Sequence, residues 1–271
     1  MRKNFIWILG LISLICLLGL TACGVKDPLT GPERAWLEKK GVLNIGVFED
    51  YPPFGFLDDT KQPVGMSIDY WNLLARKLNF KVQFHPAAFD NQLKGLEGGR
   101  FDSLAGVFPL PERQKALDFT KNYYAINTDL FVAPELGSVT SLKNLPRIPV
   151  GVVAGDSSQE EAQKAGLKTE VYSAYLETVL ALAQGKVKAI ILDEPVVAYY
   201  TKAKGLEGKI RKVSPPVAQG WMTLPVKKGN LELLAILNKG ISLVSPEEWQ
   251  EIERKWWGPS KESGPAAPAK P

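Results

Sequence analysis

The chain has 271 residues, 45% hydrophobic and 23% charged, the balance of an ordinary globular protein of one or two domains. That balance excludes pervasive disorder, a collagen-like repeat and a disulfide-dense miniprotein. Thirty-three basic and 29 acidic residues leave a formal charge of +4, too small and dispersed to argue for a nucleic-acid partner. Two cysteines and one histidine cannot furnish a Cys/His metal site, and no cofactor is expected.

The N-terminus opens Met1-Arg2-Lys3 and then runs without a charge from Phe5 to Leu20. A basic head before an apolar stretch is the pattern of a secretory signal or of an N-terminal anchor. The sequence that follows, Leu20-Thr21-Ala22-Cys23-Gly24, resembles the lipobox of bacterial lipoproteins. Under that resemblance residues 1–22 are removed, and Cys23 carries the palmitate-type lipid anchor. Cys16 leaves with the signal, so the mature chain keeps no free thiol and no disulfide. His85, in Phe84-His85-Pro86, reads as an idle surface imidazole.

Residues 24–32 read as a tether, and Glu33-Arg34-Ala35-Trp36-Leu37 as a lead-in helix. Val42 to Val47 is a predicted strand, closed by Gly41 upstream and Tyr51-Pro52-Pro53 downstream. Trp71, Leu74, Ala75 and Leu78 recur at helical spacing within Ile68–Leu78. Lys81 to Phe84 alternates as a strand, Asn91 to Leu96 is a short helix, and Phe101 to Val107 is a buried strand. Strands separated by helices imply parallel sheets with helices on their faces.

The same order then recurs. Leu96-x-x-Gly99-Arg100-Phe101-x-Ser103-Leu104 matches Leu182-x-x-Gly185-Lys186-Val187-x-Ala189-Ile190, and a Gly-Val strand lies upstream of each, at Gly46-Val47 and Gly151-Val152. Two similar α/β lobes follow from this repeat. Asp129 to Ala133 is a predicted strand that ends the first half, before a link at Pro134 and Gly137. An extended stretch, Val213 to Val226, and an amphipathic helix, Leu231 to Leu243, lead back to the first lobe. Two crossings leave a cleft able to close on a small molecule. The expected division is 1–22 signal, 23–41 lipidated tether and lead-in helix, 42–132 plus 225–257 first lobe, 133–224 second lobe with hinge segments, and 258–271 disordered tail.

Seven stretches appear in order: Gly46-Val47…Tyr51-Pro52-Pro53-Phe54, Gly65-x-x-Ile68-Asp69, Gly99-Arg100-Phe101-Asp102, Pro111-Glu112-Arg113, Asp118-Phe119-Thr120-x-x-Tyr123-Tyr124, Gly151-Val152 and Leu192-Asp193-Glu194. Together they resemble the family 3, amino-acid-type, extracellular solute-binding proteins. The resemblance implies a two-lobed type II periplasmic-binding-protein-like fold, each lobe a mostly parallel sheet flanked by helices. It implies a monomeric binding protein, not an enzyme, that serves an ABC permease or a membrane sensor. Arg113 corresponds to the arginine that grips a ligand α-carboxylate, a role suited to a planar, permanently charged guanidinium. Asp193 corresponds to the acid that receives the α-ammonium, although an acid ending an apolar strand is equally a helix N-cap. Tyr51 and Phe54 correspond to one aromatic wall, and Phe89 is a candidate for the other. Ser157, in the turn Gly155-Asp156-Ser157, stands at an anion-attracting helix N-terminus.

The departures bear on the ligand. The run Gly106-Val107-Phe108-Pro109-Leu110-Pro111 lacks the family's hydroxyls and makes the wall at Phe108 apolar. Asp156 repels a carboxylate unless it points away, and Phe48 stands where receptors for basic amino acids carry an acid. Together these departures argue against a standard amino acid, a cationic one above all, and favour a solute with an acidic group and an apolar or aromatic body. The alternative is a cleft enzyme resembling cyclohexadienyl (prephenate or arogenate) dehydratase, with Asp156 or Glu194 as proton donor.

Overall fold

A computed structural model describes residues 27–257 of the chain. The expected signal, Cys16, the anchor at Cys23 and the tail at 258–271 lie outside the described residues. Among the described residues no helix is long and apolar enough to cross a membrane.

The first helix, α1 (Gly31–Lys40), starts at a capping box in which the Thr30 hydroxyl faces the Glu33 amide and the Glu33 carboxylate accepts from Thr30 N at 2.6 Å. Arg34 donates to the carbonyls of Leu78 and Asn79 at 2.8 and 3.1 Å, and Lys239 pairs with Glu33. Leu29 is already buried, so the segment expected as tether through residue 32 joins the first lobe before that point.

The first lobe is built from β1 (Val42–Phe48), α2 (Met66–Leu78), β5 (Lys81–Ala87), α3 (Phe89–Glu97) and β6 (Ser103–Leu104), with parallel sheet order β5-β1-β6. Between β1 and α2 lies a small antiparallel sheet of β2 (Asp50–Tyr51), β3 (Gly55–Leu57) and β4 (Pro63–Val64). The predicted strand 101–107 shortens to β6 and a bridge from Val107 to Thr223. A two-stranded antiparallel sheet forms downstream, where β7 (Leu117–Phe119) pairs with a later segment.

The second lobe repeats the pattern as β9 (Val150–Val153), α4 (Ser157–Lys164), β10 (Thr169–Tyr172), α5 (Tyr175–Ala183) and β11 (Ala189–Asp193). Its five-stranded sheet runs β10-β9-β11-β8-β12, where β8 is Tyr124–Val132 and β12 is Arg211–Met222. Strand β8 is antiparallel to β11, and β12 is antiparallel to β8. All of β8 therefore belongs to the second sheet, so the expected boundary at 132/133 falls inside that lobe. Its pairing with β11 and β12 on both edges decides this, and sequence order does not display such pairing. After α6 (Glu194–Ala203) and β12, the chain returns through β13 (Pro225–Lys227), paired with β7, to α7 (Leu231–Leu243) and α8 (Pro246–Trp257) on α2.

The repeat read from the sequence is a repeat of hydrogen bonds. Gly99 and Gly185 have φ of +79° and +75°, a conformation that favours glycine, and each ends its helix. Arg100 N and Phe101 N both reach Gly95 O; Lys186 N and Val187 N both reach Ala181 O. Gly46 and Gly151, in β1 and β9, each let a helix approach the sheet. A Cβ at Gly46 would clash with Gln92 of α3 and sit 2.7 Å from Leu104, while one at Gly151 would sit 3.4 Å from Thr178 of α5 and 3.0 Å from Ile190 of β11. One apolar cluster runs through the first lobe to the inner face of the second sheet, and a smaller one covers that sheet's other face.

Candidate functional site

Carboxyl ends of parallel strands and N-termini of the following helices converge between the lobes, as they do in open α/β sheets generally. The pocket there is lined by Phe48, Tyr51, Phe89, Phe108, Arg113 and Met222 from one side, and by Asp156, Ser157, Tyr175 and Asp193 from the other. It encloses about 10 Å³ of free space, roughly room for one water, so the lobes are closed on each other. A groove of about 1110 Å³ lies elsewhere, between α2, β5 and α8, and in its lining Lys255 pairs with Asp69.

Asp193 occupies the N-cap position of α6, yet its side chain caps nothing. It turns into the pocket instead. Oδ2 accepts from Tyr51 Oη at 2.5 Å and Oδ1 accepts from Thr128 Oγ1 at 2.6 Å. Burial, then the charge of Asp156, push its pKa up to about 7 despite those two donors. No cation pairs with it among the described residues. Of the two readings open for Asp193, cap or pocket residue, the geometry selects the second.

The cap at the neighbouring helix is Asp156. Its Oδ1 accepts from Ser158 N at 2.9 Å and Ser158 Oγ at 2.6 Å, and its Oδ2 accepts from Tyr175 Oη at 2.8 Å. Asp156 therefore does not point away from the pocket. Ser157 follows it, buried, with an Oγ that has no hydrogen-bond partner.

Arg113 lies in a single 3₁₀ turn, Arg113–Lys115, and β7 begins two residues later. Its Nη1 donates to Phe108 O and its Nη2 to Gly155 O, both at 2.9 Å, so it bridges the lobes. The guanidinium also stands 5.1 Å from the Phe89 ring centroid. Burial lowers its pKa from the ordinary arginine value, and the Asp156 charge opposes that shift.

Phe48 stacks on Phe89 at 5.0 Å and meets Tyr51 edge-on at 5.6 Å. Phe54 lies outside the pocket lining: it packs behind Tyr51, at 5.2 Å, and against Tyr124. The Phe108 ring lies on Gly220 of β12, where a Cβ would come within 2.5 Å of it. Glu194 is directed to Lys212 at 3.8 Å and does not line the pocket, leaving Asp156 alone of the two proton donors considered there. His85 is not idle, since its Nε2 meets Asn44 Oδ1 at 2.9 Å.

Sequence reasoning missed Thr128, Met222 and Tyr175. Tyr175 had a signal: the spacing that maps Leu96 onto Leu182 maps Phe89 onto Tyr175, and both are first residues of helices that face the cleft. Thr128 had none, because only the antiparallel register of β8 and β11 sets it opposite Asp193.

The family model for bacterial extracellular solute-binding proteins, family 3, matches residues 43–259. The chain belongs to this family. It is 26% identical to the arginine-binding extracellular protein ArtP of Bacillus subtilis, over 93% of this chain and 97% of that protein. Among solved structures it resembles an ancestral arginine-binding protein bound to glutamine, at 31% identity and TM-score 0.73, over 81% of this chain and 99% of that one. It also resembles AncCDT-1, an ancestral amino acid-binding protein described as a precursor of cyclohexadienyl dehydratase, at 27% identity and TM-score 0.73, over 82% of this chain and 98% of that one. Family membership makes this solute-binding protein extracytoplasmic and a binder, not an enzyme.

Proposed function

We propose that this family 3 solute-binding protein is a monomeric lipoprotein that captures one small amino-acid-like solute between its lobes and presents it to an ABC permease. After signal removal, the chain is held to the membrane through lipidated Cys23. The solute's ammonium sits on Asp193, its body lies against Tyr51, Phe89 and Phe108, and Arg113 holds the lobes together beneath it. The observation that carries this reading is Asp193, a buried carboxylate held by two hydroxyls, with no cation of its own and rings around it.

A thermal-shift screen of the purified chain with amino acids, amines and small carboxylates tests it. A ligand at a hundredfold excess over its Kd stabilises the native state by about 2.7 kcal/mol, which a melting curve resolves. A flat response across the whole panel overturns the reading. For the anchor, Cys23→Ser should move the protein from the membrane fraction to the soluble fraction and abolish palmitate labelling.

A further inference from the structure

We infer that the cleft selects a solute that carries an ammonium and no free carboxylate, because the chain's own Asp156 carboxylate holds the anion-binding end of the pocket. This rests on the capture reading above and narrows its ligand.

A carboxylate needs hydrogen-bond donors and a cation. The donors available in this pocket are the N-terminus of α4 and the Arg113 fork, a combination that ordinarily welcomes an anion. Here the Asp156 carboxylate already sits at that helix N-terminus, and Arg113 is turned toward backbone carbonyls. Asp156 takes the Ser158 amide, the Ser158 hydroxyl and the Tyr175 hydroxyl, all within 2.9 Å. Arg113 donates one N–H from Nη1 and one from Nη2 to backbone carbonyls on the two lobes, which fixes its orientation, and its guanidinium lies near Phe89. The adjacent run Ala105 to Leu110 offers no hydroxyl, and Pro109 within it has no amide N–H. A second carboxylate brought to this end meets a negative charge already buried there and already holding three of the local donors.

The opposite end is the reverse case. Asp193 is 1% exposed and accepts only neutral hydroxyls, so it holds a charge that nothing nearby balances. Two carboxylates, Asp156 and Asp193, and one guanidinium line the pocket, and a single positive charge on the solute completes the count. The raised pKa of Asp193 is consistent with this imbalance, since a proton occupies the place an ammonium would fill. Phe48, Tyr51 and Tyr175 line the pocket with rings, a surround that suits the apolar body of an organic cation. Ser157 Oγ, buried without a partner, leaves one contact for a neutral oxygen or an N–H of the solute. This differs from the acidic solute suggested by Phe48 and the hydroxyl-poor run alone. The difference comes from the direction in which Asp156 points.

The test is calorimetry on the detergent-solubilised full chain, with the standard amino acids and the amines formed by their decarboxylation, among them tyramine against tyrosine, histamine against histidine and agmatine against arginine. The tightest amine should exceed its parent amino acid by at least about tenfold, since like charges juxtaposed at an interface are strongly disfavoured. Asp156→Asn keeps a good helix cap and removes the charge, and should shrink or reverse that ratio. A melting curve confirms that the variant folds. If the amino acid of the best pair binds more tightly, the inference falls while the capture reading stands. An unchanged ratio in Asp156→Asn also overturns the role given to that residue. If a cooperatively folded wild-type chain binds neither series, both readings fall.

Discussion

At equivalent points of the repeat, Val107 follows β6 in the first lobe, whereas Asp193 closes β11 in the second. Phe89 opens α3 and Tyr175 opens α5, each preceded by an alanine whose side chain caps nothing. The frames agree down to their glycine stops, yet the first lobe brings to the cleft phenylalanines and an arginine, while the second brings carboxylates and hydroxyls. The repeated skeleton thus fixes where side chains converge, and the residues just past the strand ends decide what converges. In the proposed capture both lobes are needed, since each lines the pocket with a different chemistry.

The largest effect is expected where the lobes differ most. Asp193→Asn preserves shape and removes the charge; affinity for the cationic solute should fall by about a hundredfold or more, as for a buried charge pair that loses one member. Calorimetry checks this, and retention of wild-type affinity would show that the second lobe's acid does not hold the ligand.

Next comes the contrast between the two glycines that the lobes share. Gly46→Ala drives a Cβ into Gln92, Leu104 and Phe101 and should destabilise by about 3 kcal/mol, whereas Gly151→Ala should cost about 1 kcal/mol, as overpacking does at tight and looser sites. Urea melts measure both. Equal losses would mean that the helices approach the two sheets equally closely.

A third effect belongs to the contact between lobes. Burial raises Asp193 to about 7, and it raises Asp50 to about 6 where that side chain is enclosed against α5. Both values exceed those of the unfolded chain, so the folded protein retains protons that the unfolded chain has released. The stability from these groups is full below the unfolded carboxylate range, near pH 4, and is lost as pH rises through 6 and 7. Ligand-free protein should therefore melt higher at pH 5.5 than at pH 8. A bound amine should narrow the gap, and Asp193→Asn should shrink it without ligand. Differential scanning calorimetry across that range tests the sign.

Much of this architecture was legible beforehand for a physical reason: helix period, strand alternation and glycine stops are local. Leu231–Leu243 is a helix over the residues its amphipathicity marks, and Gly99 and Gly185 end their helices as their positions implied. What could not be read depends on pairing between distant segments. The membership of β8 in the second sheet, and with it Thr128 beneath Asp193, follows from antiparallel register. Phe54 shares a motif with Tyr51, but successive turns send one ring into the cleft and the other behind it. The orientation of Asp156 decides the ligand argument, and residue type alone leaves that orientation open.

The smallest expected effect concerns one hydrogen bond. Tyr175 N, at the start of α5 in the second lobe, donates to Asp50 Oδ2 of the first lobe at 2.8 Å, and Tyr200 Oη donates to Asp50 O at 2.9 Å. Asp50→Ala should cost about 1 kcal/mol in thermal stability, the usual effect of losing an N-cap. The counterpart helix α3 has no such cap from the other lobe to lose.

That borrowed cap makes the Tyr175 amide a natural clock for the cleft. When the lobes part, this N–H loses its only side-chain acceptor and is released to solvent. Its deuterium uptake then counts opening events, while amides deep in β11 record only whole-molecule unfolding. The Tyr175 rate relative to the intrinsic rate of an unprotected amide gives the open fraction of unlabelled protein at any solute concentration, and the β11 rate shows how much of it is unfolding.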